Sequence, residues 1–176
     1  PILKKSTELG SSLFAVRSSA AAEDGAQHSF AGQFDSYLNV PRSQLIDKVK
    51  RVQQSAQSAH IESYQSSQSI EKVTSPSVLI QRMLEPDVSG VAFSADPVSG
   101  NLDHTVISAV WGTGSALVSG EVDADYWRIN TDGSLVSADI ANKKFQHSPC
   151  STSMEGVQLV ETSAEKVTIP SLTETQ

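Results

Sequence analysis

The chain has 176 residues, a formal net charge of −7 at pH 7, 38% hydrophobic residues and 19% charged residues. This length suits one ordinary domain or two small lobes with a packed core. The acidic balance argues against a general nucleic-acid binder, because phosphate backbones require a cationic surface. A nucleotide site is still compatible with it, since one or two cations in a cleft can bind phosphates on an acidic protein.

The cysteine content and the lengths of the apolar runs indicate in which cellular compartment the protein is expected. Cys150 is the only cysteine, so no disulfide can form within the chain, which favours a reducing cytoplasm. No apolar run approaches the ~20 residues that a membrane span needs. We therefore expect a cytoplasmic protein with no membrane or nucleic-acid partner and no metal site of its own. Because the chain starts at Pro1 without an initiator methionine, we also expect a segment excised from a longer chain.

The front part of the chain, predicted as residues 1–75, combines two short strands with one long helix. Apolar runs bounded by polar residues predict strands over Leu13–Arg17 and Ser36–Val40. The stretch from Ser18 to Gly32 is rich in Ala, Ser and Gly and could form a short helix over Ala20–Asp24 followed by a flexible loop. After Pro41, spacings of three and four predict a helix with the apolar stripe Leu45, Val49, Val52, Ala56 and Ala59.

The back part, predicted as residues 76–176, is rich in strands and ends in a loose tail after Pro170. Its predicted strands are Val78–Leu84, Val88–Ser94, His104–Val110, Asp125–Ile129, Leu135–Ile140 and Val157–Val160. Asp132-Gly133 is a strong hairpin signal, and the residues from Gln146 to Met154 are predicted to form a loop. The two parts together predict an α+β fold.

Two segments of the front part carry residue types that suit phosphate binding. Arg17 ends an apolar strand, and its planar guanidinium matches phosphate oxygens. The alternative is a surface arginine in a salt bridge. Gly32 precedes the second strand and would let backbone amides approach an anion closely. An ordinary loop is the alternative there, since no Walker-type Gly-Lys-Ser/Thr follows.

Segments of the back part are also open to two interpretations. The strand Leu79–Leu84 could lend its backbone to a purine edge, with Met83 packing against the ring, or could simply belong to the core. Ser89–Gly100 is explained by a strand that runs into a turn. Gly112-Thr113-Gly114 is only weakly similar to a phosphate loop. The four histidines favour structural roles over catalysis: His28, His60, His104 and His147.

Eight short motifs appear in a fixed order between Phe14 and Lys143. They are Val-Arg-Ser-Ser-Ala at 16–20, Glu23-Asp24, Ser-Phe-Ala-Gly-Gln at 29–33, Tyr-Leu-Asn-Val at 37–40, Gln-Arg-Met at 81–83, Ser-Gly-Val-Ala-Phe-Ser at 89–94, Asp-Pro-Val-Ser-Gly at 96–100 and Leu-Val-Ser-Gly at 117–120. This order resembles the nucleotide-binding domain of the phosphoenolpyruvate synthase and pyruvate phosphate dikinase family. The third and fourth motifs are more similar to the synthase and to rifampicin phosphotransferase than to the dikinase.

The resemblance implies a partial ATP-grasp-like domain, in which two α+β lobes clamp ATP. It implies an enzyme segment that helps convert ATP, pyruvate and water to AMP, phosphoenolpyruvate and phosphate through a phosphohistidine on another domain. The implied partners are ATP, Mg²⁺, and the phosphohistidine and phosphoenolpyruvate/pyruvate domains of the parent chain. Two alternatives stay open: the same domain of a rifampicin phosphotransferase-like enzyme, or a non-catalytic ATP-grasp remnant used as a binding module.

Site residues follow from the same resemblance. Arg17 would be catalytic, binding phosphate oxygens and offsetting the charge that develops on them. The loop over the phosphates would contain Gly32, Gln33, Asp35 and Ser36, and the hinge that meets adenine would contain Gln81, Arg82, Met83 and Leu84.

Departures from the family pattern limit what this segment can do alone. Gly112–Ser115 lacks the carboxylate of the family's Gly-Leu-Gly-Glu, and the Gly-Gly-x-Thr-Ser-His motif is absent. The Mg²⁺ ligands are expected outside this segment. We therefore expect weak ATP binding and no turnover by the segment itself.

Overall fold

The computed structural model describes residues 2–19, 36–55, 77–150, 152–153 and 155–173. They contain α-helices and antiparallel sheets of three, four and two strands, so the mixed α and β character predicted from the sequence is confirmed. The chain divides into two compact units, Pro1–Leu84 with Cys150–Gly156, and Glu85–Pro149 with Val157–Gln176. Among the described helices, none combines the length and the apolar character needed to cross a lipid bilayer.

The first unit is built around a three-stranded sheet. Its elements are α1 (Ile2–Glu8), β1 (Leu13–Ser19), β2 (Ser36–Pro41), a 3-10 turn (Arg42–Gln44), α2 (Leu45–Ser55) and β3 (Ser77–Arg82). The strand order is β2-β1-β3, and both pairings are antiparallel. Because both outer strands pair with β1, the register of the sheet is defined by this central strand.

One face of β1 packs against α2. Phe14 and Val16 are fully buried, and they cluster with the helix residues Leu45, Val49 and Val52. These helix positions are spaced by four and three residues, which places them on one side of α2. The predicted stripe is confirmed for these three positions, while Ala56 and Ala59 lie outside the described residues.

Strand β2 contains an irregularity where it faces Ala15. Two residues, Leu38 and Asn39, oppose this one position, and Asn39 adopts a left-handed φ of 50°. The Asn39 side chain is 1% exposed, and its Nδ2 donates to the Gly156 carbonyl at 2.7 Å. A Cβ added to Gly156 would lie 1.8 Å from the Leu38 carbonyl oxygen, so the chain at 156 approaches β2 as closely as a glycine allows.

The second unit contains a four-stranded sheet and a separate hairpin. The sheet consists of β4 (Val88–Phe93), β5 (His104–Trp111), β6 (Asp125–Asn130) and β7 (Leu135–Asp139), in that order. The short helix α3 (Ser115–Ser119) lies between β5 and β6 in the chain. The hairpin pairs β8 (Phe145–Pro149) with β9 (Val157–Glu161).

The structure differs from the sequence prediction in three segments. Helix α1 was not predicted, because seven residues are too few for a clear helical periodicity. The predicted loop from Gln146 contains strand β8, which forms through its pairing with β9 rather than through its own modest β-propensity. The compact units divide after Leu84 rather than at 75–76, because β3 pairs along β1 in the front sheet.

A buried ion pair holds distant segments of the second unit together. Lys143 Nζ lies 2.5 Å from Asp125 Oδ1, and both side chains are completely buried. Asp125 also accepts hydrogen bonds from the Ala141 N–H and from the N–H and hydroxyl of Ser171. Ser171 is 3% exposed, so the loose tail predicted after Pro170 is wrong at this residue. The carboxylate needs these donors because burial removes it from water.

The turn between β4 and β5 is organised by Asp96. Its carboxylate accepts the Val98 N–H at 2.9 Å and the Ser99 N–H at 3.4 Å, and Arg128 Nη2 lies 3.2 Å away. The hydrogen bonds from Val98 and Ser99, followed by the charge of Arg128, hold the pKa of Asp96 below its ordinary value of 3.8.

We predict that Gly156→Ala destabilises the first unit by about 2 kcal/mol or more. The new Cβ would meet the Leu38 carbonyl, and the φ of 77° is unfavourable for alanine. The matched control is Gly10→Ala, which has a φ of 62° in the same unit but no atom within 4 Å of the added Cβ. Urea unfolding should show a clearly larger loss for Gly156→Ala; equal losses would contradict the close approach.

We also predict that Asp96→Asn lowers the melting temperature at pH 7. A carboxylate whose folded pKa is lowered stabilises the fold above its ordinary pKa, and this contribution is lost as pH falls through the folded pKa. The difference between wild type and variant should therefore shrink below pH 3.8. Asp103→Asn removes an exposed carboxylate from the same loop and serves as control. A difference in melting temperature that persists unchanged at pH 3 would refute the assignment.

Candidate functional site

The sheet face of the first unit that points away from α2 brings together three of the predicted site residues. Arg17 on β1 lies opposite Ser36 on β2 and Leu79 on β3, while Gln81 lies opposite Ala15. Directly opposed residues in an antiparallel pair share a face of the sheet. Since Phe14 and Val16 face α2, the side chains of Arg17, Ser36 and Gln81 occupy the other face.

This face is largely exposed and carries both polar and apolar side chains. Arg17, Ser36 and Gln81 are all exposed, and Arg17 is the only charged residue that the three strands place there. No hydrogen bond or ion pair joins the Arg17 side chain to another residue that the structure describes. The alternative of a surface salt bridge therefore finds no partner in the described ranges. Opposed Cβ atoms lie about 5 Å apart, so one small anion could contact both Arg17 and Ser36.

The structure describes only Ser36, the last residue of the loop that is predicted to cover the phosphates. Gly32, Gln33 and Asp35 lie outside the described residues, and Ser36 begins β2 directly after them. The contribution of these three residues to nucleotide binding stays a prediction.

The predicted hinge residues divide between the two faces and the edge of the sheet. Gln81 lies on the open face, whereas Arg82 lies opposite Phe14 and thus on the α2 side. The Met83 N–H donates to the Leu13 carbonyl at 3.0 Å, which extends the pairing one residue beyond β3. Met83 is half-buried, and Leu84 is 65% exposed at the end of the unit.

The ladder geometry leaves backbone groups of the hinge available. Met83 directs its N–H toward Leu13 of β1, and successive residues of a strand direct their backbone groups to opposite sides of the strand. The neighbouring Arg82 therefore directs its own N–H and C=O to the outer edge of β3. In the described sheet β3 is an edge strand, so these groups are free to bind a flat ligand that has a donor and an acceptor on one side.

The glycine-rich segment after β5 uses its amides within the protein. The Gly112 N–H donates to the Asp87 carbonyl at 2.8 Å, and the Thr113 N–H donates to the His147 carbonyl at 3.3 Å. Gly112 has a φ of 72°, and an added Cβ would lie 2.4 Å from the His147 carbonyl oxygen. These amides cannot also bind a phosphate, so the weak likeness to a phosphate loop reflects close packing.

The segment Ser89–Gly100 is structural as well. An added Cβ at Gly90 would meet the Ser108 carbonyl at 2.7 Å, and the Ser89 hydroxyl donates to the Gly112 carbonyl at 2.7 Å. Asp96 closes the following turn. Within the described residues, no group of three or more His, Cys, Asp or Glu side chains could hold a metal ion.

Sequence reasoning missed two side-chain clusters in the second unit. One is the buried Asp125–Lys143–Ser171 network, which joins residues as far as 46 positions apart. The other joins His147 to Ser115 and Glu121. Neither leaves a local signal, because each is assembled from separate elements.

Comparison with known proteins identifies the family. The chain matches the family described as pyruvate phosphate dikinase, AMP/ATP-binding domain, over residues 2–176. It is 37% identical over 171 residues to the prodigiosin synthesizing transferase PigC of Serratia marcescens, covering 95% of this chain and 18% of that protein.

Two further relatives are a rifampicin phosphotransferase and a phosphoenolpyruvate synthase. The chain is 40% identical over 135 residues to a rifampicin phosphotransferase of Streptomyces sp, covering 76% of this chain. It is 39% identical over 132 residues to the phosphoenolpyruvate synthase of Pyrococcus furiosus, covering 74% of this chain. The chain spans only 16% of the length of each of these two proteins. The resemblance found in the sequence motifs is thereby confirmed, and the chain belongs to the pyruvate phosphate dikinase AMP/ATP-binding domain family.

Proposed function

We propose that this chain is part of the ATP-binding domain of a phosphoenolpyruvate synthase-like phosphotransferase. In this proposal the whole enzyme converts ATP, pyruvate and water to AMP, phosphoenolpyruvate and phosphate through a phosphohistidine on another domain. The observation that carries the proposal is the grouping of Arg17, Ser36 and Gln81 on one exposed sheet face. The family, described as an AMP/ATP-binding domain, supplies the ligand class.

The open face suits the phosphate end of ATP. Phosphoryl transfer depends mainly on positioning and on charge stabilisation, for which a guanidinium is the appropriate group. The Arg17 guanidinium can donate two parallel hydrogen bonds to phosphate oxygens, and the Ser36 hydroxyl can add a third. Because no described residue already occupies the guanidinium, binding does not require an existing ion pair to break.

The edge of β3 suits the adenine end. Adenine presents a donor and an acceptor side by side, and the outward N–H and C=O of Arg82 offer the complementary pair. Half-buried Met83 would pack against the ring, because a thioether adapts well to flat apolar surfaces. The role of Arg82 in this proposal is carried by its backbone, while its side chain points to the α2 side.

The proposal extends to a partial ATP-grasp-like fold in which two lobes clamp the nucleotide. It also includes Mg²⁺, which is expected to accompany ATP with protein ligands outside this segment. The further partners are the phosphohistidine domain and the phosphoenolpyruvate/pyruvate domain of the parent chain, in the cytoplasm. The segment by itself should bind ATP weakly and should not turn it over.

A second candidate function is the same ATP-binding role in a rifampicin phosphotransferase-like enzyme. The identity to the Streptomyces protein is as high as that to the synthase, so this segment does not distinguish the two. In this proposal the phosphoryl acceptor is selected by other domains of the parent chain. Phosphoryl transfer by the full-length protein to pyruvate, compared with transfer to rifampicin, separates these candidates. A non-catalytic binding module, favoured by Ser115 in place of the family carboxylate, would show neither transfer.

We predict that Arg17→Ala weakens ATP binding about tenfold to a hundredfold, as expected for the loss of charged hydrogen bonds. Calorimetric titration of the 176-residue chain with ATP and Mg²⁺ measures this. Arg82→Ala is the matched control, because it removes an exposed guanidinium from the opposite face and leaves the backbone groups in place. It should change the affinity less than twofold (about 0.4 kcal/mol).

Two results would count against the proposal. One is an unchanged affinity in Arg17→Ala, and the other is an equal loss in both arginine variants, which would indicate a nonspecific charge effect. Steady ATP splitting by the 176-residue chain would contradict the expectation that the acceptor lies elsewhere.

A further inference from the structure

One face of the four-stranded sheet in the second unit carries a continuous set of apolar side chains. Directly opposed residues of antiparallel strands share a face, and the register places one residue of each strand in a single row. This row runs from β4 to β7 and consists of Ala92, Ile107, Trp127 and Ala138. Two residues further along β5 and β6, a second row on the same face consists of Thr105, Ile129 and Leu135. We call these residues the apolar rows, since all of them except Thr105 are apolar.

The apolar rows are accessible in the part of the chain that the structure describes. Leu135 is 61% exposed, Ala92 and Ala138 are also exposed, and the other members are half-buried. On the other face of β6 and β7, by contrast, Arg128 lies opposite Ser137. A contiguous accessible apolar surface of this kind marks a place where another element or a partner binds.

The same face is covered at its other end by the chain that follows β9. Ala109 and Asp125 oppose each other two residues before the row of Ile107 and Trp127, and both are completely buried. Asp125 accepts the N–H and the hydroxyl of Ser171, each at 2.7 Å. Ser171 therefore lies on this face, beside the apolar rows.

The two tryptophans of the chain show the difference between the two ends of this face. Trp111, two residues beyond Ala109 on β5, is 9% exposed, and its Nε1 donates to the Lys166 carbonyl at 2.9 Å. Lys166 Nζ also lies 4.7 Å from the centre of the Trp111 ring. Trp127 is half-buried, and no described residue accepts a hydrogen bond from its indole N–H. A covered indole needs an acceptor for this N–H, so whatever covers Trp127 must present an acceptor as well as apolar side chains.

The path of the chain indicates which segment covers the apolar rows. Lys166 contacts the face at Trp111, and Ser171 contacts it at Asp125, which is one row closer to Trp127. The chain thus advances across the face toward the apolar rows as it approaches its last described residues. Relatives have ample chain to continue this path, because the 176 residues span 18% of the PigC protein and 16% of the Pyrococcus synthase.

We propose that the segment directly following Gln176 in the parent chain lies across the apolar rows and completes the core of the second unit. Its apolar side chains cover Ile107, Trp127 and Leu135, and one of its polar groups accepts the Trp127 N–H. The occupant is a part of the same polypeptide and not a second copy of it. The inference rests on the proposed function only in that the chain belongs to a longer protein, and it does not depend on where ATP binds.

The reactivity of single cysteines in the full-length protein measures the cover. Leu135→Cys and Ser137→Cys place a thiol on opposite faces of β7, at two positions that are exposed in the described structure. Cys150→Ser removes the native thiol from both variants. Alkylation by iodoacetamide should be at least about tenfold slower at position 135 than at 137, because a covered thiol reacts only after local opening. Melting curves verify that both variants fold, and equal alkylation rates overturn the proposal.

Photo-crosslinking identifies the occupant. Leu135→p-benzoylphenylalanine in the full-length protein should crosslink within one chain to the segment directly after Gln176, as located by peptide mass spectrometry. The same amino acid at Ser137 is the control and should not reach that segment. A crosslink from position 135 to a second copy or only to a more distant domain overturns the proposal, as does a native chain that ends at Gln176.

Calorimetric titration of the full-length wild type with ATP and Mg²⁺ tests the proposed function separately. ATP binding together with equal alkylation rates refutes the cover and leaves the proposed function standing. Slow alkylation at position 135 without ATP binding supports the cover and refutes the proposed function.

Discussion

The alternation of side chains along β1 is the constraint on which the first unit depends. Successive residues of a strand point to opposite faces, so burying Phe14 and Val16 against α2 forces Ala15 and Arg17 to the other side. The same period aligns Ser36 and Gln81 with Arg17 through the two neighbouring strands. A register shift of one residue would bury the guanidinium and expose Phe14, so the core and the candidate site are fixed by one pattern.

Features that depend on neighbouring residues were predictable, and features that depend on distant partners were not. The strands from β1 to β7 follow from apolar runs and turn residues, and the stripe Leu45, Val49 and Val52 predicts α2. Strand β8 and the burial of Ser171 depend on partners elsewhere in the second unit. Of the candidate site, the shared face of Arg17 and Gln81 could be expected once their strands were known to pair, but the pairing itself is not a local property.

The glycine-rich segment after β5 shows why residue type alone misleads. Gly112 suits both a phosphate loop and a close backbone contact, and sequence does not separate the two. The Gly112 N–H donates to the Asp87 carbonyl, and the absence of a side chain allows the His147 carbonyl to approach closely. The same close approach holds His147 beside Ser115 and Glu121, with which its two ring nitrogens are in contact.

Two arginines of this acidic chain have carboxylate partners, and Arg17 is not one of them. Arg51 pairs with Asp47 and Arg128 pairs with Asp96, as expected where carboxylates outnumber cations. Arg17 has no such partner among the described residues, although a net charge of −7 makes carboxylates plentiful. An unpaired guanidinium on a face that otherwise carries small or uncharged side chains keeps all of its donors for a ligand. Since the long-range field of an acidic protein opposes phosphate binding, a local cation with unoccupied donors is the feature that a nucleotide site on this chain requires.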